Sequence, residues 1–401
     1  MTPQTHTAEV AARPGLLTVV REWGRIGCVG FGGPPTHIRL LRDLCVQRRQ
    51  WLDAAEFEDA LAACNLLPGP ASTQLAIFCA WRVRGSRGAL AGGAAFILPG
   101  LVLILALAAL FLSGSPPLWV KGAGTGAGAA VAAVAVQAGG GLIPASWHRA
   151  QDASRARWLV WLAAGAAAAA SIGPWLVLVL LGCGAAELAA QRPGRDGAAA
   201  DGVGAAAAGV APVPLLAVGA IGGGVALSVA WVAFKVGALS YGGGFVIIPL
   251  MQADAVGHYH WMTGGQFLNA VALGQITPGP VVQTVAAVGY AAAGVAGGLL
   301  AAFVAFSPSF AFVLLGARHF GRLRGDQRAG AFLGGAGPAA IGAILGSAIP
   351  LARALTEPWQ FAVLAAAAIV LLLLRRGVVL TLLAAGTAGF LVAVAGGPLP
   401  H

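Results

Sequence analysis

The sequence contains an internal repeat built around the tripeptide Pro-Gly-Pro, and this repeat determines how the fold is organised. The tripeptide occurs twice inside apolar sequence, in LLPGPASTQ (Leu66–Gln74) and in QITPGPVVQT (Gln275–Thr284), with an offset of 210 residues. At that offset, residues 27–96 align with residues 237–306 without a gap, and 19 of the 70 positions are identical. Rare residues coincide: Trp51 with Trp261, Phe57 with Phe267 and Phe96 with Phe306. The chain therefore contains two homologous halves.

Composition indicates the solvent in which these halves fold. Hydrophobic residues make up 58% of the 401 residues and charged residues only 9%, whereas about a quarter of the residues in an ordinary soluble domain are charged. Apolar runs near the length that crosses a hydrocarbon core recur along the chain. They include Gly88–Leu112, Trp175–Ala190, Leu215–Val229, Phe361–Leu374 and Val378–Val394. The sequence therefore predicts an all-α polytopic membrane protein.

Several observations argue against other classes of protein. Residues 1–15 lack the apolar core of a secretory signal, and Leu16–Phe31 is interrupted by charges, so we predict an interfacial amphipathic helix there. The net charge of +10 fits basic cytoplasmic loops, so no nucleic-acid partner is expected. The five cysteines lack ligand spacing, and no Walker motif, zinc spacing or nucleophile elbow occurs. We therefore expect a protein that is not an enzyme and binds no cofactor or metal.

Each Pro-Gly-Pro is predicted to lie at the tip of a re-entrant hairpin. Between Trp51 and Trp81 it separates helical pieces of about 15 and 11 residues, which are too short to cross a core of about 30 Å. The flanks of the first hairpin are basic: Arg39, Arg42, Arg48, Arg49, Arg82, Arg84 and Arg87. The matching flanks of the second hold Asp254, His258, His260 and the uncharged segment 291–298. By the positive-inside rule the hairpins open on opposite faces, so the halves are inverted. The alternative is that each Pro-Gly-Pro merely kinks a spanning helix.

About nine full spans are predicted besides the two hairpins, or about thirteen helical segments. They lie near 88–113, 118–141, 157–171 and 173–190 in the first half, near 213–229 as a connection, and near 298–317, 328–349, 358–374 and 377–396 in the second half. The predicted domains are residues 1–196, a linker with the connecting helix at 197–229, and residues 230–401. The N-terminus is predicted to be cytoplasmic and the C-terminus external.

The two breaks form the predicted substrate-binding region. Interrupted helices at matching positions of inverted repeats are typical of secondary transporters, and the free N–H groups at the start of a half-helix suit an anion. The residues predicted to line this region are Asn65, Gly69, Ser72, Thr73 and Gln74 in the first half, and Gln275, Thr277, Gly279, Gln283 and Thr284 in the second. Glycine pairs upstream, Gly32-Gly33 and Gly242-Gly243, are predicted to let the chain approach the anion closely.

Charged residues in apolar surroundings supply further candidates. Arg25 and Lys235 occupy equivalent positions and are predicted to bind the anion; the alternative for Arg25 is contact with lipid headgroups. The gate or proton-coupling candidates are Arg39, Asp43, Glu187 and Asp254. Topology signals are the alternative for Arg39 and Asp43, and helix packing is the alternative for Glu187. His37 and Trp51 are predicted to be structural.

Taken together, these motifs resemble the chromate ion transporter family. The motifs are FGGPPTHIRLLRD (31–43), NLLPGPASTQLA (65–76), LSYGGGFVIIPLM (239–251) and LGQITPGPVVQT (273–284), and the resemblance covers nearly the whole chain. It implies a two-domain member that arose by duplication. It also implies export of chromate from the bacterial cytoplasm across the inner membrane, driven by the proton motive force, with chromate resistance as the result. Sulfate, which has the same shape and charge, is implied as a competitor or related substrate.

Other functions stay open at this level. Sulfate uptake is the nearest alternative, and a passive anion channel could use the same half-helix ends. A membrane scaffold or sensor would not need matching breaks in both halves. The expected partners are the oxyanion and the lipid bilayer, and the protein is expected to be a monomer or a homodimer.

Overall fold

Every regular element in the described part of the chain is a helix. The structure, a computed structural model, describes residues 14–112, 116–150, 154–171, 176–191, 223–240, 245–319 and 327–400, without the side chains of Leu66 and His319. Four of the described helices are long and apolar enough to cross a membrane: Ala71–Phe111, Leu118–Arg149, Val281–Gly316 and Gln327–Arg353. Shorter apolar helices accompany them. The predicted all-α polytopic architecture is confirmed.

The described part of the first half contains eight α-helices. They are α1 (Leu16–Val29), α2 (Pro34–Arg42), α3 (Ala54–Leu66), α4 (Ala71–Phe111), α5 (Leu118–Ala129), α6 (Val131–Arg149), α7 (Arg155–Ser171) and α8 (Leu176–Ala190). A π-helical turn at Asp43–Arg48 continues α2. Because α5 and α6 meet at Ala130, they form one crossing, which runs several residues beyond the predicted span at 118–141.

The second half repeats this order. Its described helices are α9 (Gly223–Leu239), α10 (Ile247–Gln252), α11 (Gly264–Ile276), α12 (Thr284–Gly316), α13 (Gln327–Arg353), α14 (Pro358–Ala368) and α15 (Val378–Val394). A π-helical turn at Ala253–His258 continues α10, as in the first half. The connecting span predicted at 213–229 lies partly outside the described residues. The described helix α9 extends beyond that prediction because residues 230–239 are apolar apart from Lys235.

In the first half, α1 and α2 fold back on each other. Gly32 (φ 96°) and Gly33 (φ 74°) adopt left-handed backbone angles at the reversal. Glu22 of α1 accepts a hydrogen bond from Arg49, after the end of α2, with Nη2 and Oε1 2.6 Å apart. In a straight helix these residues would be about 40 Å apart. The interfacial helix predicted for Leu16–Phe31 is therefore the first arm of a hairpin, with one face buried in the protein.

A second hairpin follows at Pro-Gly-Pro, as predicted. Asp53 caps the start of α3, where its carboxylate accepts a hydrogen bond from the Glu56 N–H at 2.7 Å. Arg82, on the arm that returns from the break, pairs with Glu56 through two nitrogens. Both ends of the hairpin therefore lie on one side, which the alternative of a kinked spanning helix does not allow. In the second half, a capping box of Thr263 and Gln266 starts α11.

Each returning arm leads into the next span through a tight reversal that the sequence analysis missed. The backbone leaves the helical region at Gly85 (φ 64°) in α4 and at Gly294 (φ 60°) in α12. Ala80 before the first reversal contacts Gly92 after it, so residues 71–83 and 86–111 form an antiparallel pair. The long helices α4 and α12 are thus each a return arm plus one membrane span.

These reversals correct the repeat alignment. Gly85 and Gly294 lie 209 residues apart, and a second equivalent contact agrees: Gly27 touches the Phe96 carbonyl as Gly237 touches that of Ala305. The gapless alignment is therefore wrong after the breaks. The second half is one residue shorter between its break and its reversal, so Phe96 corresponds to Ala305 rather than to Phe306.

Contacts between equivalent helices show the predicted inversion. In the second arms of α4 and α12, Gly93 lies against Phe310, whereas Leu105 lies against Gly298. As the numbering rises in one helix it falls in the other, so the two equivalent spans are antiparallel. Equivalent elements that run in opposite directions define an inverted repeat.

Glycine and alanine bring the later helices of the two halves together. A Cβ at Gly165 of α7 would overlap the Ala339 carbonyl of α13, and one at Gly126 of α5 would overlap the Ala385 carbonyl of α15. Small residues allow such close backbone approach in membrane proteins, where packing replaces the hydrophobic effect between helices. The halves are therefore interlocked around the hairpins.

Candidate functional site

Both Pro-Gly-Pro breaks present the start of a helix at a sharp backbone turn. Gly69 (φ 117°) and Gly279 (φ 99°) adopt left-handed angles that favour glycine. After the first break, the Pro70 carbonyl accepts from the N–H groups of Thr73 (2.9 Å) and Gln74 (3.0 Å), which begins the helix. The earliest N–H groups of a helix have no intrahelical partner and carry its positive end. Each break therefore directs a positive helix end into the interior.

Buried polar atoms without a hydrogen-bond partner concentrate around these breaks. Among the described residues they are Thr73 Oγ1, Gln74 Oε1, Ser240 Oγ, Asn269 Oδ1, Gln275 Nε2, Thr277 Oγ1, Gln283 Oε1 and Ser309 Oγ. Five of the eight belong to residues that the sequence predicted for the site. Each such atom costs about 1–3 kcal/mol when buried, and native proteins contain few of them. A polar ligand at the two breaks would supply the hydrogen-bond partners that these atoms lack.

The first break inserts into the second half. A Cβ at Gly69 would lie 3.4 Å from the Gly237 carbonyl of α9 and 3.4 Å from Ser309 Oγ of α12. Gln74 turns its amide back onto the break, where Nε2 donates to the Pro68 carbonyl at 2.7 Å. The Ser309 hydroxyl, 0% exposed, therefore lies beside the first Pro-Gly-Pro although it comes from the other half.

The second break inserts into the first half in the same way. A Cβ at Gly100 of α4 would overlap the Pro278 carbonyl. Gln283 donates from Nε2 to the Ile97 carbonyl at 2.7 Å, and the Gly279 N–H donates to the Gly30 carbonyl at 3.1 Å. The shifted alignment makes Gly100 the equivalent of Ser309. The two breaks thus occupy equivalent, mutually inserted positions.

His37 connects the two breaks, a role that the sequence analysis did not assign. It is fully buried on α2. Its Nε2 donates to the Gly30 carbonyl at 2.9 Å, the same carbonyl that accepts from Gly279. Its Nδ1 lies 3.4 Å from Ser72 Oγ, just after the first break. Because a carbonyl can only accept, Nε2 carries the proton and Nδ1 is left to accept from Ser72.

The structure separates the predicted lining residues into two groups. Those beside the breaks are buried: Gly69, Ser72, Thr73, Gln74, Gln275, Thr277, Gly279, Gln283 and Thr284. Asn65 and Gly32 are exposed, Gly33 is half-buried, and Gly242 and Gly243 lie outside the described residues. Three unpartnered residues, Ser240, Ser309 and Asn269, were not predicted, and the one signal they share is that each is a polar residue within a largely apolar stretch.

The predicted cations, Arg25 and Lys235, do not lie among the buried polar residues around the two Pro-Gly-Pro breaks. Arg25 is exposed on α1. Lys235 pairs with Asp254 instead, with Nζ and Oδ2 2.6 Å apart and side chains 14% and 5% exposed. The pair lies in a cavity of about 560 Å³, which is also lined by Trp231 and His258. The structure therefore joins two predicted residues that the sequence analysis had assigned to separate roles.

The remaining charged candidates have different surroundings. Glu187 is 2% exposed, and its carboxylate accepts from Arg157 (2.9 and 3.0 Å), Trp161 (2.9 Å) and Gln191 (2.8 Å). These contacts tie α8 to α7. Arg39 is exposed, and Asp43 is half-buried with Arg48 3.9 Å away. None of these three candidates has a contact to the breaks among the described residues.

Comparison with known proteins relates both halves of the chain to one family. The family model described as Chromate transporter matches residues 17–188 and 227–390. A chromate transport protein of Cupriavidus metallidurans is 33% identical over 360 residues, covering 87% of this chain and 84% of the relative. One of Pseudomonas aeruginosa is 30% identical over 383 residues, covering 92% and 90%. A probable chromate transport protein of Synechococcus elongatus is 29% identical and covers 82% of each chain. No solved structure matches.

Proposed function

Because this chain belongs to the chromate transporter family, we propose that it carries chromate across the bacterial inner membrane, as a secondary transporter that exports the ion from the cytoplasm. Export is driven by the proton motive force and gives chromate resistance. The observation that carries this proposal is the concentration of buried, unpartnered polar atoms at two inverted helix breaks. Inverted repeats with broken helices bind their substrates in such positions.

The donors at the breaks suit a tetrahedral oxyanion. The hydroxyls of Thr73, Thr277 and Ser309 and the amide nitrogen of Gln275 are buried and free to donate. The two helix ends add about one positive charge in total. The free amide oxygens of Gln74 and Gln283 accept rather than donate, so water molecules held by the ion are their natural partners. The site therefore binds a partly hydrated dianion.

The electrical part of the proton motive force favours export. Moving one charge across about 100 mV is worth about 2.3 kcal/mol, so a dianion leaving a negative interior gains about twice that. Uptake of sulfate would have to oppose this force. Chromate export therefore needs no energy source besides the gradients that the membrane already holds.

The orientation proposed here places the first Pro-Gly-Pro hairpin open to the cytoplasm. Its open end carries Arg82 in an ion pair with Glu56, with Arg84 and Arg87 close by in the chain. The equivalent turn of the second half, at residues 291–298, carries no charge. By the positive-inside rule the N-terminus is cytoplasmic and the C-terminus external. The proposed domains are residues 1–196, the connection 197–229, and residues 230–401.

Flux into proteoliposomes tests the function. The purified protein is reconstituted, and chromate movement is followed with a membrane potential, a pH gradient, both or neither imposed. We expect saturable chromate flux that is accelerated by a potential negative on the chromate-loaded side. Non-saturating flux that follows the membrane potential but ignores the pH gradient would identify a passive channel. Saturable flux of sulfate without chromate would identify a sulfate transporter.

A further inference from the structure

The ion pair of Lys235 and Asp254 lies at a cavity of its own. The cavity, of about 560 Å³, lies between α8, α9 and the π-helical turn after α10. Water occupies about 30 Å³ per molecule, so an oxyanion and several waters fit. Lys235 Nζ also lies 5.5 Å from the centre of the Trp231 ring. The other titratable lining residues among those described are His258 and Tyr259, whereas α8 contributes only Val177 and Leu178.

This cavity is separate from the buried polar residues around the two Pro-Gly-Pro breaks. Gly237 of α9 faces the first break and the backbone of α12. Lys235 is two residues earlier, which places it about 200° around the helix. Its amine therefore points to the opposite side of α9, toward Asp254. A cation and a carboxylate buried together inside a membrane protein commonly mark an ion or proton pathway.

The fold itself does not require this ion pair. In the first half, Arg25 is the equivalent of Lys235, and Leu44 is the equivalent of Asp254. That hairpin closes with Leu44 buried at 3% exposure and with Arg25 exposed. The same turn is therefore built with a leucine at the position of the carboxylate. Since the first half folds without a carboxylate at this position, Asp254 has a role particular to the second half.

We propose that this cavity is a second oxyanion site, and that the Asp254 carboxylate pairs with the Lys235 ammonium whenever no oxyanion is bound. The inference rests on the proposed transport of a tetrahedral oxyanion. When a dianion binds the Lys235 ammonium, the Asp254 carboxylate takes up one proton and its ion pair with Lys235 breaks. Without that proton, the carboxylate and the dianion would repel each other in a cavity lined mostly by apolar side chains. Anion binding and proton uptake at this site are therefore coupled.

Coupling between anion binding and proton uptake is reciprocal, and the number of protons taken up sets how steeply the Kd depends on pH. If one proton is taken up per anion, the Kd rises about tenfold for each unit of pH, over the range where Asp254 is charged without the anion and neutral with it. Replacing Asp254 by Asn removes the carboxylate that competes with the anion for Lys235, and it removes the group that takes up the proton. The Asp254→Asn protein then binds more tightly than the wild type at alkaline pH, and its Kd does not depend on pH.

A purely structural role makes the opposite prediction. Glu22 and Arg49 hold the arms of the first hairpin together, at 2.6 Å. If Lys235 and Asp254 served only the same purpose, Asp254→Asn would loosen the second hairpin. Binding would then weaken or stay unchanged. The sign of the change in affinity therefore separates the two roles.

Sulfate binding, followed by Trp231 fluorescence, tests the proposal. Sulfate stays a dianion across the pH range used, and the Trp231→Phe protein identifies the part of the signal that comes from the cavity. The protein is held in a maltoside detergent, which contains no phosphate. We expect a pH-dependent Kd for the wild type, tight pH-independent binding for Asp254→Asn and Asp254→Leu, and a loss of about tenfold or more for Lys235→Gln. Glu22→Gln is the matched control and should keep the pH dependence of the wild type.

Three results would overturn the proposal. The first is an Asp254→Asn protein that binds sulfate no more tightly than the wild type at alkaline pH, and the second is a Kd that is independent of pH in the wild type. The third is a Trp231 signal produced by added phosphatidylglycerol but not by sulfate, which would make the cavity a lipid headgroup site. Chromate flux in proteoliposomes is measured separately, so saturable flux beside a failed cavity test would reject this inference alone.

Discussion

At the scale of single residues, Thr73 is expected to combine a cost to stability with a contribution to binding. Its side chain is 0% exposed and its hydroxyl has no partner among the described residues. Such a hydroxyl destabilises the anion-free protein by about 1–3 kcal/mol. A hydrogen bond to a charged ligand is worth about 1.5–3 kcal/mol. The residue is therefore expected to favour binding at the expense of stability.

Thr73→Val should separate these two effects. The substitution keeps the shape and removes the hydroxyl, so we expect the anion-free protein to become more stable while chromate affinity falls about 10- to 150-fold. Thermal unfolding in detergent and equilibrium binding measure the two changes. Thr381→Val is the control: Thr381 is 4% exposed, and its hydroxyl already donates to the Gly377 carbonyl at 3.1 Å. Loss of stability at Thr73 with unchanged binding would show that the hydroxyl is structural.

Which site residues could be predicted depended on their distance from the breaks along the chain. Five residues of the candidate site were predictable because they adjoin Pro-Gly-Pro in the sequence and therefore lie near the break. They are Thr73, Gln74, Gln275, Thr277 and Gln283. Ser309 and His37 were not, because they reach the breaks through contacts between distant elements. Nothing in the local pattern around Ser309 shows that Gly69 of the other half packs beside it. The pairing of Lys235 with Asp254 likewise depends on how α9 and α10 fold back on each other.

At the scale of elements, each half is built from consecutive hairpins that enter and leave on one side. The Pro-Gly-Pro hairpin was predictable because two pieces of such length cannot cross a membrane. The hairpin of α1 and α2 was not, since charges along Leu16–Phe31 mimic an interfacial helix while one face of α1 is buried. The reversals at Gly85 and Gly294 were also missed. Glycine is so common in this chain, with 60 in all, that a turn glycine does not stand out.

The orientation of these hairpins can be tested at their equivalent reversals. Ser86 and Val295 directly follow Gly85 and Gly294, and both are exposed. Single cysteines are placed there in a protein whose five native cysteines have been replaced. A membrane-impermeant maleimide should reach Ser86→Cys only from the cytoplasmic face and Val295→Cys only from outside. Labelling of both from the same face would contradict the orientation that we propose.

At the scale of the whole molecule, the inverted halves place two similar helix ends in one interior region. The antiparallel packing of α4 on α12 establishes the inversion, and the mutual insertion of the breaks follows from it. The halves are not identical in chemistry. Around the first break the second half supplies Ser309, whereas around the second break the first half supplies Gly100. The two breaks therefore differ in the side chain that the opposite half places beside them.

We propose that chromate binds between the two breaks, and an anomalous difference map tests this claim by locating the bound ion. Crystals of the protein grown with chromate are measured at the chromium absorption edge, at a concentration that saturates binding in solution. We predict a chromium peak between the two breaks, with chromate oxygens within about 3 Å of the Thr73 and Thr277 hydroxyls. A peak only beside Lys235, or only on the outer surface, would contradict the claim.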